Sequence, residues 1–311
     1  MTKVAVVAHS GKTLGGGLSE LHGALVAAGV PDPLWYEVDK SRKAGKRVKK
    51  ALKHGAELIF VWGGDGMVQH CIDAAAGSKA AIAILPAGTA NLLANNLGIP
   101  KDIAECVFTG LHGTRRKLDV GRINGERFAV MAGVGFDALM IRDASKGLKA
   151  RVGRLAYVWT GAKELGAAQF GAKVKVDGKD WFKGDVACVL LGNVGSAFGG
   201  VTLFKEARPD DGRLEVGVVT ADGALEWSRT LARTLSHHAG RSPFVEFASG
   251  KKVTIKLDRR VAYELDGGAR PATDELRIKV EPGAIHVCVP GATAQVAAPH
   301  NGALKRNGAK A

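Results

Sequence analysis

The sequence predicts an N-terminal α/β domain with a parallel sheet, followed by a mainly antiparallel β-sandwich domain. Up to about residue 117, a pattern of strand, glycine-containing loop and helix repeats along the chain. Beyond that point, Asn-Gly and Asp-Gly pairs stand between alternating runs and indicate hairpins. A chain of 311 residues with 46% hydrophobic content can bury the core of one large or two medium domains.

The predicted parallel sheet is built from four short runs rich in apolar residues. They read "KVAVVA", "LWYEV", "LIFVW" and "AIAIL", and a helical pattern follows each of them. Strands that alternate with helices in this way form a sheet covered on both faces. Ligands of such folds bind at the carboxyl ends of the strands, so the loops at those ends are the first place to look for a site.

The loop after the third strand, "VWGGDGM", places Gly63, Gly64 and Gly66 around Asp65. Glycine permits positive φ and close approach of a ligand, and the helix that follows begins with unpaired N–H groups. We therefore expect positive φ at these glycines and phosphate binding at this turn. A plain strand-to-helix turn with a solvated or capping Asp65 is the alternative, and the loop alone does not separate the two.

The loop after the fourth strand, "LPAGTANLLANNLGIP", is expected at the same edge of the sheet. Pro86 and Gly88 mark the strand end, Thr89 is predicted to cap a short helix, and Gly98 is predicted to end it. Backbone N–H groups of such loops bind oxyanions. A carboxylate beside them can hold Mg²⁺ through water or meet an incoming hydroxyl.

The second domain is predicted from hairpin turns at 124–125 and 177–178, with helical insertions at about 150–168 and 224–238. Alternation in "VAYELDGG" puts Glu264 and Asp266 on one face of an extended strand. An extended chain would place Glu264 about 13 Å from Gly268. The predicted domains are residues 1–117 and 118–290, and the Ala, Gly and Lys-rich tail 291–311 is expected to be mobile or laid over the first domain.

Charge and cysteine content indicate which partners and which cellular compartment to expect. The net charge is +14, and the run from Lys40 to His54 carries eight Lys or Arg and no acid. That run is either the solvated face of a helix or a surface for anionic lipid; it lacks the aromatic residues typical of single-stranded nucleic acid binding. Four cysteines without a C-x-x-C pair argue against zinc and disulfides. With no signal-type segment, we expect a soluble cytoplasmic protein that associates peripherally with membrane.

Several motifs together resemble one family. "GGDGM" and "LPAGTANLLANNLGIP" are followed by "NVGSAFGGV", "ARPDDGRLEV" and "YELDGGARP", in the order shown by the diacylglycerol kinase and sphingosine kinase family in its bacterial two-domain form. The Gly-Gly-Asp-Gly element alone is shared with NAD kinases, so an NAD kinase is the second hypothesis. A third is a basic binding module that has lost catalysis and keeps nucleotide or lipid binding.

The resemblance implies an ATP- and Mg²⁺-dependent kinase that phosphorylates a hydroxyl of a lipid such as diacylglycerol. It implies Asp65 as the catalytic residue and a cleft between the two domains. The positions matching the family's nucleotide contacts are Ser10, Gly11, Ser41, Gly63, Gly64, Asp65, Gly66, Met67, Val68, Gln69, Gly88, Thr89 and Asn91. A lipid at an anionic membrane surface and a second copy in a homodimer are the expected partners, and nucleic acid is not.

The segment "RPDDGR" matches a structural Mg²⁺ site of the family, with Asp211 as ligand, helped by the carbonyls of Arg208 and Arg213. Without the resemblance it would be interpreted as an Asp-Gly turn. Two positions depart from the family pattern. Met67 replaces a usual threonine, and Gly268 replaces the glutamate proposed as general base. We therefore expect slow turnover, with Asp65 as the only carboxylate near the transferred phosphoryl group.

Overall fold

A computed structural model describes residues 2–135, 169–197, 201–222, 226, 230 and 242–291. The helical insertion predicted at 150–168 lies outside these residues. So does the insertion predicted at 224–238, apart from Glu226 and Thr230, both of which are helical. The tail from residue 292 also lies outside them, so its predicted placement stays a prediction.

The first half of the chain forms the predicted parallel sheet. Its strands are β1 (Val4–His9), β2 (Leu34–Val38), β3 (Leu58–Gly63) and β4 (Ala81–Pro86). Its helices are α1 (Leu18–Ala27), α2 (Ala44–Lys53), α3 (Asp65–Ala75), α4 (Leu92–Asn96) and α5 (Ile103–His112), and residues Ser41–Lys43 form a short 3₁₀ turn. The strand order is β2-β1-β3-β4 with parallel pairing throughout, which confirms the predicted α/β class.

Helices cover both faces of this sheet because the crossovers run in two directions. The chain moves one way from β1 to β2 and the other way from β2 to β3 and β4, and right-handed crossovers then put α1 opposite α2 and α3. Consistent with this, α2 packs on α3, and α1 packs on α5. Strands β1, β3 and β4 are almost entirely buried, as expected for a sheet covered on both sides, whereas the edge strand β2 is mostly half-buried.

The second half is mainly antiparallel, as predicted. Its strands are β5 (Thr114–Ile123), β6 (Glu126–Phe128), β7 (Met131–Val134), β8 (Phe170–Val176), β9 (Lys179–Val186), β10 (Cys188–Gly192), β11 (Ser196–Ala197), β12 (Val201–Thr202), β13 (Leu214–Val219), β14 (Val245–Gly250), β15 (Lys252–Leu265) and β16 (Gly268–Val289). A second cluster of buried apolar side chains, from β7, β8, β10, β13, β15 and β16, fills this half.

The two halves share a continuous sheet within the described residues. Strand β16 is 22 residues long; its end pairs in parallel with β4, and its earlier part pairs antiparallel with β15. Register shifts in the β15–β16 and β16–β5 pairings interrupt both ladders, as β-bulges do where strands bend. The second half is therefore fixed to the parallel sheet by backbone hydrogen bonds as well as by side chains.

Three tight turns shape the second half, and the sequence interpretation found two of them. Asn124-Gly125 and Asp177-Gly178 have positive φ at both residues and connect β5 to β6 and β8 to β9, as predicted. Asp266-Gly267 is a third such turn, with φ of 45° and 81°, and it joins β15 to β16. The expected extended strand through Gly268 is therefore wrong.

The four cysteines are free and buried, which agrees with the expectation of no disulfide. Within the described ranges, no helix is long and apolar enough to cross a membrane. The basic run from Lys40 forms the 3₁₀ turn and α2, whose buried face consists of Ala44, Val48 and Ala51. All of its lysines and arginines are solvent-exposed. The run is thus a solvated helix face, and its predicted contact with lipid stays a prediction.

Candidate active site at the carboxyl edge of the parallel sheet

Four loops meet at the carboxyl ends of the parallel strands. They contain Ser10 and Gly11 after β1, Ser41 after β2, residues 63–66 after β3, and residues 88–91 after β4. The backbone N–H of Ser10 donates to the carbonyl of Val38 at 2.9 Å, which joins the first two loops. The topology thus brings together the predicted loop residues at one edge, where ligands of open α/β sheets bind.

The glycines of the third and fourth loops act through close approach rather than through unusual φ. None of Gly63, Gly64, Gly66 and Gly88 has positive φ, so that expectation is wrong. A Cβ on Gly88 would lie 2.3 Å from the Cα of Gly64, and one on Gly63 would lie 2.5 Å from the Cβ of Met67. Gly66 is exposed and has open space beside it. The two loops therefore meet backbone against backbone and leave a side-chain-free surface next to the start of α3.

Asp65 links these two loops. Its carboxylate oxygens accept hydrogen bonds from the backbone N–H groups of Asn91 at 2.9 Å and Leu92 at 2.5 Å. Asp65 therefore caps the start of α4, and the predicted cap by Thr89, an exposed residue, is wrong. Phosphate binding at this turn stays a prediction. Burial raises the pKa of Asp65, and the two N–H donors oppose that increase.

Asn91 fixes the shape of the fourth loop. It is buried and adopts a left-handed conformation with φ of 49° and ψ of 50°. Its side-chain amide donates to the carbonyls of Pro86 at 3.0 Å and Gly88 at 2.9 Å, and its side-chain oxygen accepts from the N–H of Gly88 at 2.9 Å. The loop is thus pre-organised by its own asparagine before any ligand arrives.

The remaining residues of the third motif lie inside the protein. Met67, Val68 and Gln69 are all buried on α3. The N–H groups of Met67 and Val68 donate to the carbonyl of Gly64. The Gln69 side chain donates to the carbonyl of Arg127 at 2.7 Å, so it joins α3 to the second half. The open surface of this motif therefore comes from the glycines and the first turn of α3.

A second carboxylate, Asp266, faces this edge from the second half. It is fully buried and accepts hydrogen bonds from the N–H groups of Ala129, Val130 and Met131 at 2.8 to 3.0 Å. Burial raises its pKa to about 6, and the negative charge of Asp65 adds to the increase. Asp266 and Asp65 are therefore close enough to interact across the junction of the two halves.

Glu264 lies beside that turn and not at a distance from it. Leu265 pairs with Gly268 and Glu264 pairs with Ala269 across the hairpin, so the 13 Å separation expected from an extended chain is wrong. One oxygen of Glu264 accepts from the N–H of Gly267 at 2.8 Å, and the other has no hydrogen-bond partner among the described residues. The side chain is 1% exposed, and this burial raises its pKa to about 8.

The space beside Gly268 is occupied by Arg270. A Cβ on Gly268 would lie 2.8 Å from a guanidinium nitrogen of Arg270, which donates to the Gly268 carbonyl at 3.0 Å. Arg270 also donates to Glu126 at 2.8 Å. At the position where the resemblance implies a glutamate, the protein therefore presents a cation held by an ion pair.

The predicted metal segment forms the turn that its sequence suggests. Gly212 has φ of 74°, and the Asp211 carboxylate accepts from the N–H of Arg213 at 2.9 Å. Asp210 pairs with Arg116. Buried Asp119 accepts from the N–H groups of Gly212 at 2.6 Å and Gly283 at 2.7 Å.

In the part of the chain that the structure describes, no three His, Cys, Asp or Glu residues cluster to hold a metal. The ligand set of Arg208, Asp211 and Arg213 stays a prediction.

Sequence reasoning missed two positions that organise this region, Asp119 and Asn193. The buried Asn193 side chain donates to the carbonyls of Asp119 and Ala129 at 2.9 Å each, and its side-chain oxygen has no partner among the described residues. Asp119 is a single polar residue in an apolar strand, which carries no local signal. Asn193 begins the quoted motif "NVGSAFGGV", but no role was predicted for it. The turn at Asp266-Gly267, by contrast, carried the same Asp-Gly signal as the hairpin at 177–178.

Comparison with known proteins agrees with this architecture. The diacylglycerol kinase catalytic domain matches residues 4–123, and the YegS C-terminal NAD kinase beta sandwich-like domain matches residues 130–289. A "Probable lipid kinase YegS-like" of Pseudomonas aeruginosa is 32% identical over 260 residues, covering 79% of this chain and 81% of the relative. One from Pseudomonas syringae pv. tomato is 31% identical over 258 residues, covering 79% and 80%.

Solved structures show the same fold. A diacylglycerol kinase from Bacillus anthracis aligns with a TM-score of 0.75 and 21% identity, covering 94% of this chain and 98% of that one. An NAD kinase from Archaeoglobus fulgidus in complex with ATP aligns with a TM-score of 0.53 and 11% identity, covering 92% and 93%. The molecule therefore has the two-domain fold shared by diacylglycerol kinases and NAD kinases.

Within that class, sequence similarity and the matched domains define the family. The chain belongs to the YegS-like lipid kinases, which carry a diacylglycerol kinase catalytic domain. It is lipid kinase-like, and the kinase family implies the use of ATP.

Proposed function

We propose that the chain transfers the γ-phosphoryl group of ATP to a hydroxyl of a lipid such as diacylglycerol. The observation that carries this proposal is the junction of the two glycine loops. Their backbones meet at Gly64 and Gly88, and Asp65 ties them together through its two hydrogen bonds. The result is a rigid, side-chain-free surface at the start of a helix, where backbone N–H groups bind phosphate.

The open glycines of these loops support this surface as the place for the phosphates of ATP. Gly66 and Gly11 are exposed, and the contacts of Asn91 hold the facing loop in place. Phosphoryl transfer through a loose transition state needs positioning and charge stabilisation more than covalent chemistry from the protein. A fixed set of N–H donors supplies both without reorganisation during the reaction.

Asp65 is assigned two tasks in this proposal. It fixes the spacing of the phosphate loops, and its carboxylate places negative charge where the hydroxyl of the acceptor must lose its proton. Each of its oxygens accepts one N–H donor, which leaves further lone pairs for a water or a hydroxyl. Asp266, held by three N–H groups on the other side of the junction, adds negative charge near Asp65, so that a proton released by the acceptor hydroxyl is held more readily there.

Mg²⁺ enters this proposal with the nucleotide, because kinases use it to bridge the β- and γ-phosphate oxygens. The described residues offer no preformed cluster for a resident ion.

A lipid acceptor is favoured by the names of the curated relatives, which are lipid kinases. The competing NAD acceptor is suggested only by a shared fold at 11% identity. We place the protein in the cytoplasm, associated with an anionic membrane surface where its substrate resides. The predicted homodimer and the predicted domain boundaries at 117 and 290 are part of this proposal.

The test is a transfer assay with radiolabelled ATP on the purified chain, with a panel of lipids in mixed micelles and NAD in parallel. We expect label in one or more hydroxylated lipids and none in NAD. Asp65→Asn serves as the enzyme blank, because it keeps the size of the side chain. Label in NAD alone would contradict the proposal and show that the protein is an NAD kinase. ATP binding without transfer to any acceptor would favour a protein that has lost catalysis.

The α2 run is tested separately by charge reversal at Lys46, Arg47 and Lys50. All three are exposed on α2. If this face meets anionic lipid, vesicle binding should weaken with the reversal and with added salt. Binding that is insensitive to both would remove α2 from the membrane contact.

A further inference from the structure

The outer face of the β-sandwich carries basic residues directly opposite one another on neighbouring strands. Lys183 on β9 pairs with Lys173 on β8, which pairs with Lys256 on β15. These three lysines form a first row across the sheet. Paired positions on one face bring side chains within about 5.5 Å at Cβ, where like charges destabilise a sheet.

A second row runs parallel to the first and is longer. Lys252 on β15 pairs with Lys279 on β16, which pairs with Arg122 on β5, which pairs with Arg127 on β6. Four neighbouring strands thus contribute four basic residues and no acid to one row. Between the two rows, Lys175 and Arg277 flank Thr254. We call these residues the basic sheet face.

Nearby acids neutralise only part of this charge. Asp180 contacts Lys173 and Lys175 at 3.3 to 3.4 Å, and Glu281 contacts Arg122, Arg127 and Lys279.

Acids also lie within the face and at its margins. Glu275 pairs with Lys256 in register and forms an ion pair with Arg277. Asp185 pairs with Gly171 next to the first row, and Asp258 lies within 3.0 Å of the Cβ position of Gly171.

Three lysines have no such partner. Within the ranges that the structure covers, no carboxylate lies within 4.0 Å of the ammonium groups of Lys183, Lys252 or Lys256, all of which are exposed. These three lysines are therefore the positions of the face that are most available to a counter-charge from outside the chain.

The face also reaches the candidate active site. Arg127 is at the end of the second row, and its carbonyl accepts a hydrogen bond from the Gln69 side chain on α3. Two residues later, the N–H of Ala129 donates to Asp266. A partner surface that contacts the second row would therefore lie beside the junction where the two halves meet.

We propose that the basic sheet face docks the protein on an anionic lipid bilayer. A sheet presents its rows in one broad layer, so several ammonium groups can reach a planar array of phosphates at once. Counting Asp180 and Glu275, which pair in register with Lys175 and Lys256, twelve outward positions lie in and between the two rows. None of them is aromatic, whereas single-stranded nucleic acid is bound by basic grooves with stacking aromatic side chains. The proposal goes beyond the kinase reaction, because the face binds headgroups whether or not a substrate is present.

The test is sedimentation with vesicles that contain neither nucleotide nor a hydroxylated substrate lipid. Vesicles of phosphatidylcholine alone are compared with vesicles that include phosphatidylglycerol. The variant replaces Lys183, Lys252 and Lys256 by glutamine. A matched control replaces Lys3, Lys79 and Lys101, which are exposed lysines outside the face, so that both proteins lose three charges.

We expect the sheet variant to lose roughly fivefold in anionic vesicle binding per lysine, and roughly 100-fold in all. The matched control should stay within a few-fold of the unmodified protein. The sheet variant should melt no lower than the unmodified protein, because opposed like charges are removed. Should the triple variant fail to fold, Lys256→Gln alone, with an expected fivefold loss, is the substitute.

Two results would overturn the proposal. Equal losses in both triple variants would assign the effect to net charge, and an unchanged sheet variant would remove the face from the membrane contact. Binding of a single-stranded oligonucleotide that depends on the same lysines more than vesicle binding does would show that the partner class is wrong. Because the vesicles carry no substrate, none of these results depends on whether the kinase proposal is correct.

Discussion

Glu264→Gln should remove a pH dependence from the stability of the protein. The Glu264 carboxyl is buried beside the Asp266-Gly267 turn, and its pKa is raised from 4.5 to about 8, chiefly by burial. Between these two values the folded protein keeps the proton and the unfolded chain releases it. Stability then falls as pH rises, because the folded state binds more protons than the unfolded state. Below the lower value this contribution is constant.

The size of the effect follows from the two pKa values. Each pH step between them removes about 1.4 kcal/mol of unfolding free energy, so the full interval from 4.5 to about 8 removes about 5 kcal/mol at most. Glutamine is neutral at every pH, and its side-chain oxygen can still accept the N–H of Gly267. The variant should therefore be more stable than the unmodified protein at pH 8 and similar to it near pH 4.5.

Urea unfolding followed by circular dichroism between pH 5 and pH 9 measures this difference. Asp266, whose pKa is raised to about 6, contributes a slope of its own to both proteins, so the quantity to compare is the difference between them. Glu57→Gln, at an exposed carboxyl, is the matched control and should leave the curve unchanged. Parallel curves for the Glu264 variant and the unmodified protein would refute the reasoning. The turnover number should change less than fivefold at pH 7, because a side chain that is 1% exposed cannot contact a substrate hydroxyl.

The other predictions concern the loops and the turn. Asp65→Asn should lower turnover at least 100-fold, because an amide group replaces one of two acceptors and removes the charge; near-normal turnover in the transfer assay would contradict this. Gly88→Ala should impair ATP binding, since a Cβ would collide with the facing loop, whereas Gly66→Ala meets open space and should be the milder change; equal losses by calorimetry would argue against loop contact. Gly268→Glu should raise turnover on the correct lipid if the Arg270 guanidinium moves aside, with Gly268→Gln as the uncharged comparison; an equal gain for glutamine would rule out a role as base.

Local signals in the sequence were sufficient for the parallel sheet and for two hairpins. The four apolar runs match β1 to β4, and three of them, β1, β3 and β4, are continuous apolar segments because parallel strands are buried on both faces. The pairs at 124–125 and 177–178 adopt the positive φ that such turns require. These local signals cannot predict the pairing of β16 with β4 and β15, because that pairing joins residues far apart in the chain. It is this pairing that makes one sheet of the two halves.

The positions of the glycine loops were predicted, but their contacts were not. The glycine motifs lie at the ends of β3 and β4 as expected, yet their glycines serve the contact between two loops, and that contact exists only after folding brings residues 64 and 88 together. Likewise, Asp65 caps a helix that begins 27 residues later, so no local rule for helix caps could identify it. Thr89 satisfied the local rule and was displaced by this long-range cap.

The error at Glu264 has a different cause, since the needed signal was present in the sequence. Period-two alternation and an Asp-Gly pair competed in "VAYELDGG", and the alternation was extended through the turn. The turn forms there because the reversal of the chain lets the Asp266 carboxylate accept hydrogen bonds from the three N–H groups of residues 129–131. An extended strand would leave those three N–H groups without this acceptor. The same reversal brings Glu264 into the interior beside Asp266 and turns Gly268 toward Arg270. The burial of Glu264 and the contact of Gly268 with Arg270 are therefore consequences of a single hairpin, and variants at both positions test the same turn.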